Sequence, residues 1–244
     1  MTVQEEFRTI SYRGTEIEYQ LKRKTVKNLN LRIHSDSSIV VSANESISAD
    51  KVDEFVIEKG AYILSTVLRF KQIEAQELPP KKFVSGETFN ILGRGIRLKV
   101  KRSEKEGVFS DGRYLYLSVK NPDDYDRKEK MIRRYLDKQC RDVFLEIMQR
   151  VYPMYQKYGV SMPILRIRDM KTRWGSCSPA RGAITLNKQL LEVPTNCIEY
   201  VVMHEFCHFI HPNHSKQFYS FLTMLMPDWK ERKAQLDKSA AHGL

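Results

Sequence analysis

His204-Glu205-Phe206-Cys207-His208, followed by His214, has the residue types and spacing of a metal site with its own general base. An α-helix repeats every ~3.6 residues and rises ~1.5 Å per residue, so side chains four apart share one face. Two imidazoles at that spacing can grip one tetrahedral ion, and a glutamate beside the first can reach water near that ion. Pro212 is expected to end or bend the helix, letting the chain swing His214 back as a third ligand. Three protein ligands leave a fourth position open, the arrangement of a catalytic zinc rather than a purely structural one. His211 could compete with His214, but it follows His208 by only three residues with no break between them, so His214 is preferred. His34 and His242 read as surface residues.

The flanks agree with a buried helix. Asn196 is a candidate N-cap with Glu199 three residues on, as in a capping box. Ile198, Val201, Val202, Phe206 and Phe209 supply the apolar spacing. A buried helix carrying two histidines and a glutamate needs partners for those polar groups, and a metal ion with its water would provide them.

Other elements must position this helix. Phe7 to Tyr12, Ile17 to Leu21, Leu29 to Ile33 and Ile39 to Val41 read as strands of a hairpin-rich sheet. One helix is expected from Ser48 to Gln76, stopped by Pro79-Pro80. A second β region runs from Phe83 to Val119, with Asp111-Gly112 marking a tight hairpin. A long amphipathic helix follows from Tyr125 to Tyr158, kinked at Pro153 and closed by Gly159. Leu165 with Ile167, and Ile184 with Leu186, alternate as two short strands joined through a Trp-Gly-Ser-Cys turn. A last helix spans Ser215 to Met226. No internal repeat is visible. The fold class is therefore α+β. Residues 1–120 form an N-terminal antiparallel β-rich region with one long helix, and residues 125–244 form the catalytic domain.

The chain has 244 residues, 41% of them apolar, which suits a normal core. No apolar run approaches the ~20 residues of a membrane span, and Met1 to Ile10 is polar and acidic, unlike a secretory signal. A cytoplasmic location and no membrane partner are expected. Cys140, Cys177, Cys197 and Cys207 show no paired spacing, so disulfides are not expected. Cys207 should face away from the ligands. Cys177 reads as a small residue shaping a turn rather than a nucleophile. The formal charge of +11 favours acidic partners, including nucleic acid. Basic residues cluster at Arg94, Arg97, Lys99, Lys101 and Arg102, and again between Arg127 and Arg141. Either cluster could be a solvated face or an anion-binding surface.

Arg173-Trp174-Gly175-Ser176-Cys177-Ser178, Ile184-Thr185-Leu186-Asn187, Tyr200 to His208, and Asn213-His214-Ser215 with Phe218 together resemble the YgjP-like metallopeptidase family, relatives of the SprT-type zinc proteases. The resemblance implies a minimal gluzincin-like, zincin-like core with an edge strand beside the cleft. It implies His204, His208 and His214 as zinc ligands and Glu205 as general base. Tyr219 stands where the family suggests Trp, and Phe206 where Leu is commoner.

Peptide hydrolysis is the leading expectation. Zinc would lower the pKa of its water toward ~7, Glu205 would take the proton and return it to the leaving amine, and an extended protein or peptide substrate would add to an edge strand, Ala183 to Asn187. His211, Tyr219 and Arg173 are candidates to stabilise the oxyanion. One alternative is metal-dependent hydrolysis of a nucleotide triphosphate, with Lys171 and Arg173 holding phosphates; no Gly-rich phosphate loop supports it. Another is a DNA-associated protein with a zinc site.

Overall fold

The computed structural model describes residues 5–34, 36–75, 80–170 and 172–240. The chain divides into two compact units, the first ending at Glu77 and the second beginning at Leu78. Both mix sheets and helices, so the fold is α+β.

In the first unit, β1 (Glu5–Tyr12) and β2 (Thr15–Arg23) form a hairpin. Its two turn residues, Arg13 and Gly14, both hold positive φ, at 50° and 80°. That is the two-residue turn whose twist matches the strands it joins. β3 (Asn30–Ile33) and β4 (Ile39–Ala43) complete a sheet of order β1-β2-β4-β3. The sheet is not wholly antiparallel, because β2 and β4 run parallel. Ile17, Tyr19, Leu21 and Val41 alternate onto one face and pack against Val52 and Val56.

Those two valines belong to α1 (Ala49–Glu58), capped by the Ser48 hydroxyl. The expected single helix instead breaks at Lys59, and α2 (Gly60–Ala75) starts anew. Gly60 stands at the break, where a Cβ would lie 2.4 Å from the Tyr12 ring, so only glycine fits against that ring. Gln76 and Pro79 lie outside the described residues. Across the sheet, Arg8 and the Tyr19 hydroxyl both donate to Asp53, at 2.6 Å each.

The second unit opens with the same plan. β5 (Thr88–Ile91), β6 (Arg94–Arg102), β7 (Gly107–Ser110) and β8 (Tyr114–Val119) form a sheet of order β5-β6-β8-β7, again with a parallel central pair. Its first hairpin also turns on two positive-φ residues, Leu92 and Gly93. The two four-stranded sheets therefore share one topology, a repeat that residue identities do not display. Asp111-Gly112 does lie between β7 and β8, where the Asp111 carboxylate accepts from the N–H groups of Arg113 and Tyr114.

α3 (Tyr125–Val151) buries Ile132 against the sheet and Phe144, Ile147 and Met148 further along. It ends ahead of Pro153, which starts the short α4 (Pro153–Gln156), and Gly159 at φ 80° closes the run. A three-stranded sheet follows, of order β10-β11-β9, from β9 (Ile164–Arg168), β10 (Gly175–Ser178) and β11 (Ala183–Asn187). The expected Trp-Gly-Ser-Cys turn is thus a strand, paired antiparallel with β11 from Gly175↔Leu186 to Ser178↔Ala183. α5 (Thr195–Cys207), α6 (Lys216–Leu225) and α7 (Trp229–Ala240) complete the unit. α7 has no counterpart in the sequence expectations. Half of its residues are charged, and it is anchored chiefly by Trp229 and Leu236. Among the described residues no helix is long and apolar enough to cross a membrane.

Candidate metal centre

α5 is held from several sides. The β5–β6 hairpin tip docks where the chain enters it: Leu92 and Gly93 donate to the carbonyls of Leu191 and Glu192. A Cβ on Gly93 would come within 2.7 Å of Pro194. Pro194, with extended backbone, is the residue that opens the helix. Asn196 therefore does not cap it. Its side chain reaches Gln235 of α7, and Glu199, rather than closing a capping box, pairs with Arg150 of α3 and Arg232 of α7. One face of α5 is wholly apolar, with Ile198, Val202 and Phe206 fully buried. At its far end the Tyr155 hydroxyl donates to the Met203 carbonyl at 2.9 Å and meets the Cys207 sulfur at 3.2 Å. Cys207 thus faces Tyr155.

The helix ends at Cys207, ahead of Pro212. The N–H groups of Ile210 and His211 both turn back to the Cys207 carbonyl, and this closes the helix with His208 at its C-cap. The chain then reverses early enough to carry His214 across, while Ser215 caps α6. Nitrogens of His204, His208 and His214 lie within 4.8 Å of one another. Phe218, fully buried at the start of α6, forms a floor beneath all three, with ring centroids 4.9, 4.8 and 4.9 Å away. Tyr219 stacks between His214 and Trp229. The His211 ring turns instead against Phe221, at 5.4 Å. His34 is exposed; His242 and Lys171 lie outside the described residues.

The donor set suits a divalent cation. The His208 Nδ1 faces the His211 carbonyl at 3.2 Å, which makes Nδ1 the protonated nitrogen and leaves Nε2 with a free lone pair. The Nε2 atoms of His204 and His214 approach to 2.9 Å. Two ligands about 2.05 Å from a tetrahedral ion would sit roughly 3.3 Å apart, so only a small adjustment is needed. Burial, then the neighbouring His208 and His214, lower the His204 pKa to about 3. Burial also lowers that of His208. Both rings are therefore held neutral, the form that ligates.

Glu205 is 6% exposed and lies against β10. A Cβ on Gly175 would stand 2.7 Å from its Oε1, so only glycine leaves room for the carboxylate. Burial pushes its pKa up to about 8, opposed by the Arg173 charge and by hydrogen bonding to the Cys177 backbone. Burial, then the charge of Glu205, push the Cys177 thiol up to about 12, which suits an inert residue rather than a nucleophile. Asn187, 1% exposed, donates to the carbonyls of Met170 and Arg173 at 2.7 and 3.0 Å and so anchors the loop that brings Arg173 near Glu205. Arg173 itself is exposed. Gly175, Phe218 and Asn187 belong to the motifs that carry the family resemblance, but the sequence assigns none of them a role at the site. Their roles depend on partners that lie 30 residues away for Gly175, 14 and 17 for Asn187, and 4 to 14 for Phe218.

β11 is the central strand, hydrogen-bonded on one side to β10 and on the other to β9. It therefore offers no free edge to a peptide, contrary to the expectation for Ala183 to Asn187. The open edge beside Glu205 is β10.

The sequence profile of the YgjP-like metallopeptidase domain matches residues 27–239. The chain belongs to the YgjP-like metallopeptidase family. Membership implies a metal ion, and the imidazole triad of this YgjP-like chain is a group that could hold one. No curated protein matches. Among solved structures, the crystal structure of the metallopeptidase zymogen of Pyrococcus abyssi abylysin is similar, at 21% identity and a TM-score of 0.36, covering 41% of this chain and 98% of that one.

Proposed function

We propose that this YgjP-like protein is a zinc-dependent peptidase in which His204, His208 and His214 hold the metal and Glu205 is the general base. The observation that carries the reading is the convergence of three imidazoles over the Phe218 ring, with a buried carboxylate next in sequence to the first of them. A zinc ion held there would supply Lewis acidity and make a water molecule acidic enough to react near neutral pH. A cation close by would also favour the ionised form of Glu205, which burial alone opposes. Glu205 then takes a proton onto its carboxylate as water attacks the scissile carbonyl, and hands it to the leaving amine. The Gly175 backbone keeps that carboxylate from being crowded.

The substrate runs in extended form along the free edge of β10, Gly175 to Ser178, its main chain pairing with that strand. Recognition through main-chain hydrogen bonds reads little sequence, which suits unfolded protein segments. Of the candidates to steady the oxyanion, Tyr219 stacks on His214 and Arg173 acts electrostatically on Glu205, whereas the His211 ring turns to Phe221.

The test is metal analysis of purified protein joined to an activity panel. One equivalent of zinc per chain is expected, lost in His214→Ala. Cleavage of unfolded protein is expected, abolished by Glu205→Gln at full metal content. Phosphate release from nucleotide triphosphates that depends on Glu205, with no proteolysis under any metal, would replace this reading with the phosphohydrolase alternative.

A further inference from the structure

The first sheet of the second unit has one covered face and one bare face. Ile96, Leu98, Leu115 and Leu117 point inward and are buried with Ile132 of α3. The alternate residues of β6, namely Arg97, Lys99 and Lys101, are exposed on the other face. Pairing sets them beside aromatic rings: Arg97 lies opposite Tyr114, Lys99 opposite Tyr116, and Tyr116 opposite Phe109. Phe109 and Tyr116 stack with centroids 4.6 Å apart, and Phe109 is 54% exposed. The Lys99 ammonium sits 3.5 Å from the Tyr114 ring centre.

Aromatic neighbours, together with partial ion pairing on α3, separate this face from the other basic cluster. On α3, Arg127 is paired with Glu106, Arg133 with Glu129 and Lys138 with Asp142. Among the described residues no carboxylate lies within ion-pair distance of Arg97, Lys99 or Lys101. Asp111, at the hairpin tip, is engaged by the turn N–H groups and the Tyr116 hydroxyl. Successive outward side chains on a strand are about 6.6 Å apart, so the three cations form a line beside a row of rings. A line of unneutralised positive charge along a strand of aromatic platforms suits a polymer with phosphates on one side and flat bases on the other.

We infer that the exposed face of this sheet, built from Arg97, Lys99, Lys101, Tyr114, Tyr116 and Phe109, binds single-stranded nucleic acid without sequence preference. The face uses none of the residues of the metal centre, so the proposal stands or falls apart from the peptidase reading.

The experiment is fluorescence anisotropy of a labelled 20-nucleotide single-stranded DNA titrated with the full chain at several salt concentrations. Binding that weakens steeply with salt is expected. Reversing Arg97, Lys99 and Lys101 to Glu should lower affinity at least tenfold at low salt and flatten the log–log salt slope by about 2, given roughly 0.7 per phosphate contact. Phe109→Ala should lower affinity about fivefold or more with the slope unchanged, because stacking involves no ion release. Reversal of Arg133, Arg134 and Lys138 on α3 should change affinity less than twofold beyond its effect on net charge, measured against an equal reversal at three exposed lysines of the first unit, Lys24, Lys27 and Lys51. Photocrosslinks from halogenated bases should map between residues 107 and 119, a readout that needs no variant to fold. Absence of binding at low salt overturns the proposal. So does equal displacement by polyglutamate, equal affinity for duplex DNA with no effect of Phe109→Ala, or crosslinks confined to other segments.

Discussion

Gly175→Ala isolates the chemistry from the fold. The new Cβ would stand 2.7 Å from Glu205 Oε1, 2.9 Å from Cγ and 3.0 Å from Cδ, where ordinary contact begins near 3.4 Å. The carboxylate must therefore retreat by about 0.7 Å, since repulsion rises steeply inside contact distance. Three of its atoms are crowded, and Glu205 is nearly buried on a helix fixed by Tyr155, Pro194 and the Glu199 ion pairs, so rotation of the side chain is the available response. The cost in stability stays small. Overpacking costs about 1–3 kcal/mol, and replacing a strand glycine by alanine returns roughly 0.5–1 kcal/mol. Gly175 has no positive φ that would add strain. The cost in rate is larger, because displacing a reacting group by about 1 Å can lower the rate on the order of 100-fold. The assay is steady-state cleavage of an unfolded protein substrate, with metal content and melting temperature measured on the same preparation. A loss of roughly 100-fold in kcat is expected, with full metal content and a shift of only a few degrees. Activity within threefold of the parent, while Glu205→Gln is inactive, would refute the claim that Gly175 holds the general base in place.

Three further outcomes follow from the same geometry. His214→Ala should lose the metal without unfolding, because His214 is exposed, whereas His211→Ala should keep it, because His208 bonds the His211 carbonyl and not its ring; metal analysis on both variants checks this. Tyr155→Phe should destabilise the chain by about 1–3 kcal/mol in denaturant unfolding, since it leaves the buried Met203 carbonyl without that partner. Asp53→Asn should make the first unit less sensitive to acid. The Arg8 hydrogen bond, foremost, and that of Tyr19 hold the Asp53 carboxyl below its usual range. Its stabilisation is thus full above the unfolded carboxyl value of about 3.9 and is lost as pH falls through the lower folded value. Acid titrations of parent and variant, followed by circular dichroism, should converge at low pH.

What could be read from the residues was local. The α+β class followed from alternating and 3.6-periodic runs: β9 and β11 formed around Leu165 with Ile167 and Ile184 with Leu186, and α6 fell within the expected Ser215 to Met226. The two histidines four apart needed only helical geometry. Misreadings arose where a distant partner overrode a local preference. Asn196 and Glu199 have the pattern of a cap, but α3 and α7 offer Arg150, Arg232 and Gln235, and Pro194 opens the helix alone. The helix expected to run to Gln76 breaks at Lys59, beside the point where Gly60 meets Tyr12, forty-eight residues earlier in the chain. α7 escaped notice because its sequence is mostly solvated and only Trp229 and Leu236 tie it down.

Strand order had the largest consequence for function. Trp174 to Ser178 lacks the alternating apolar residues of a strand, so it reads as a turn, yet Gly175 to Ser178 pair with β11 along their whole length. That pairing moves β11 from the edge to the centre of the sheet and puts glycine, serine and cysteine on the rim instead. Small residues there serve two ends at once. They leave β10 approachable by another extended chain, and they admit the Glu205 carboxylate at Gly175, where it also engages the Cys177 backbone donor. A strand with the branched residues expected of β structure would have filled the space that the carboxylate occupies. The weak strand signal and the position of the Glu205 carboxylate therefore have one physical cause.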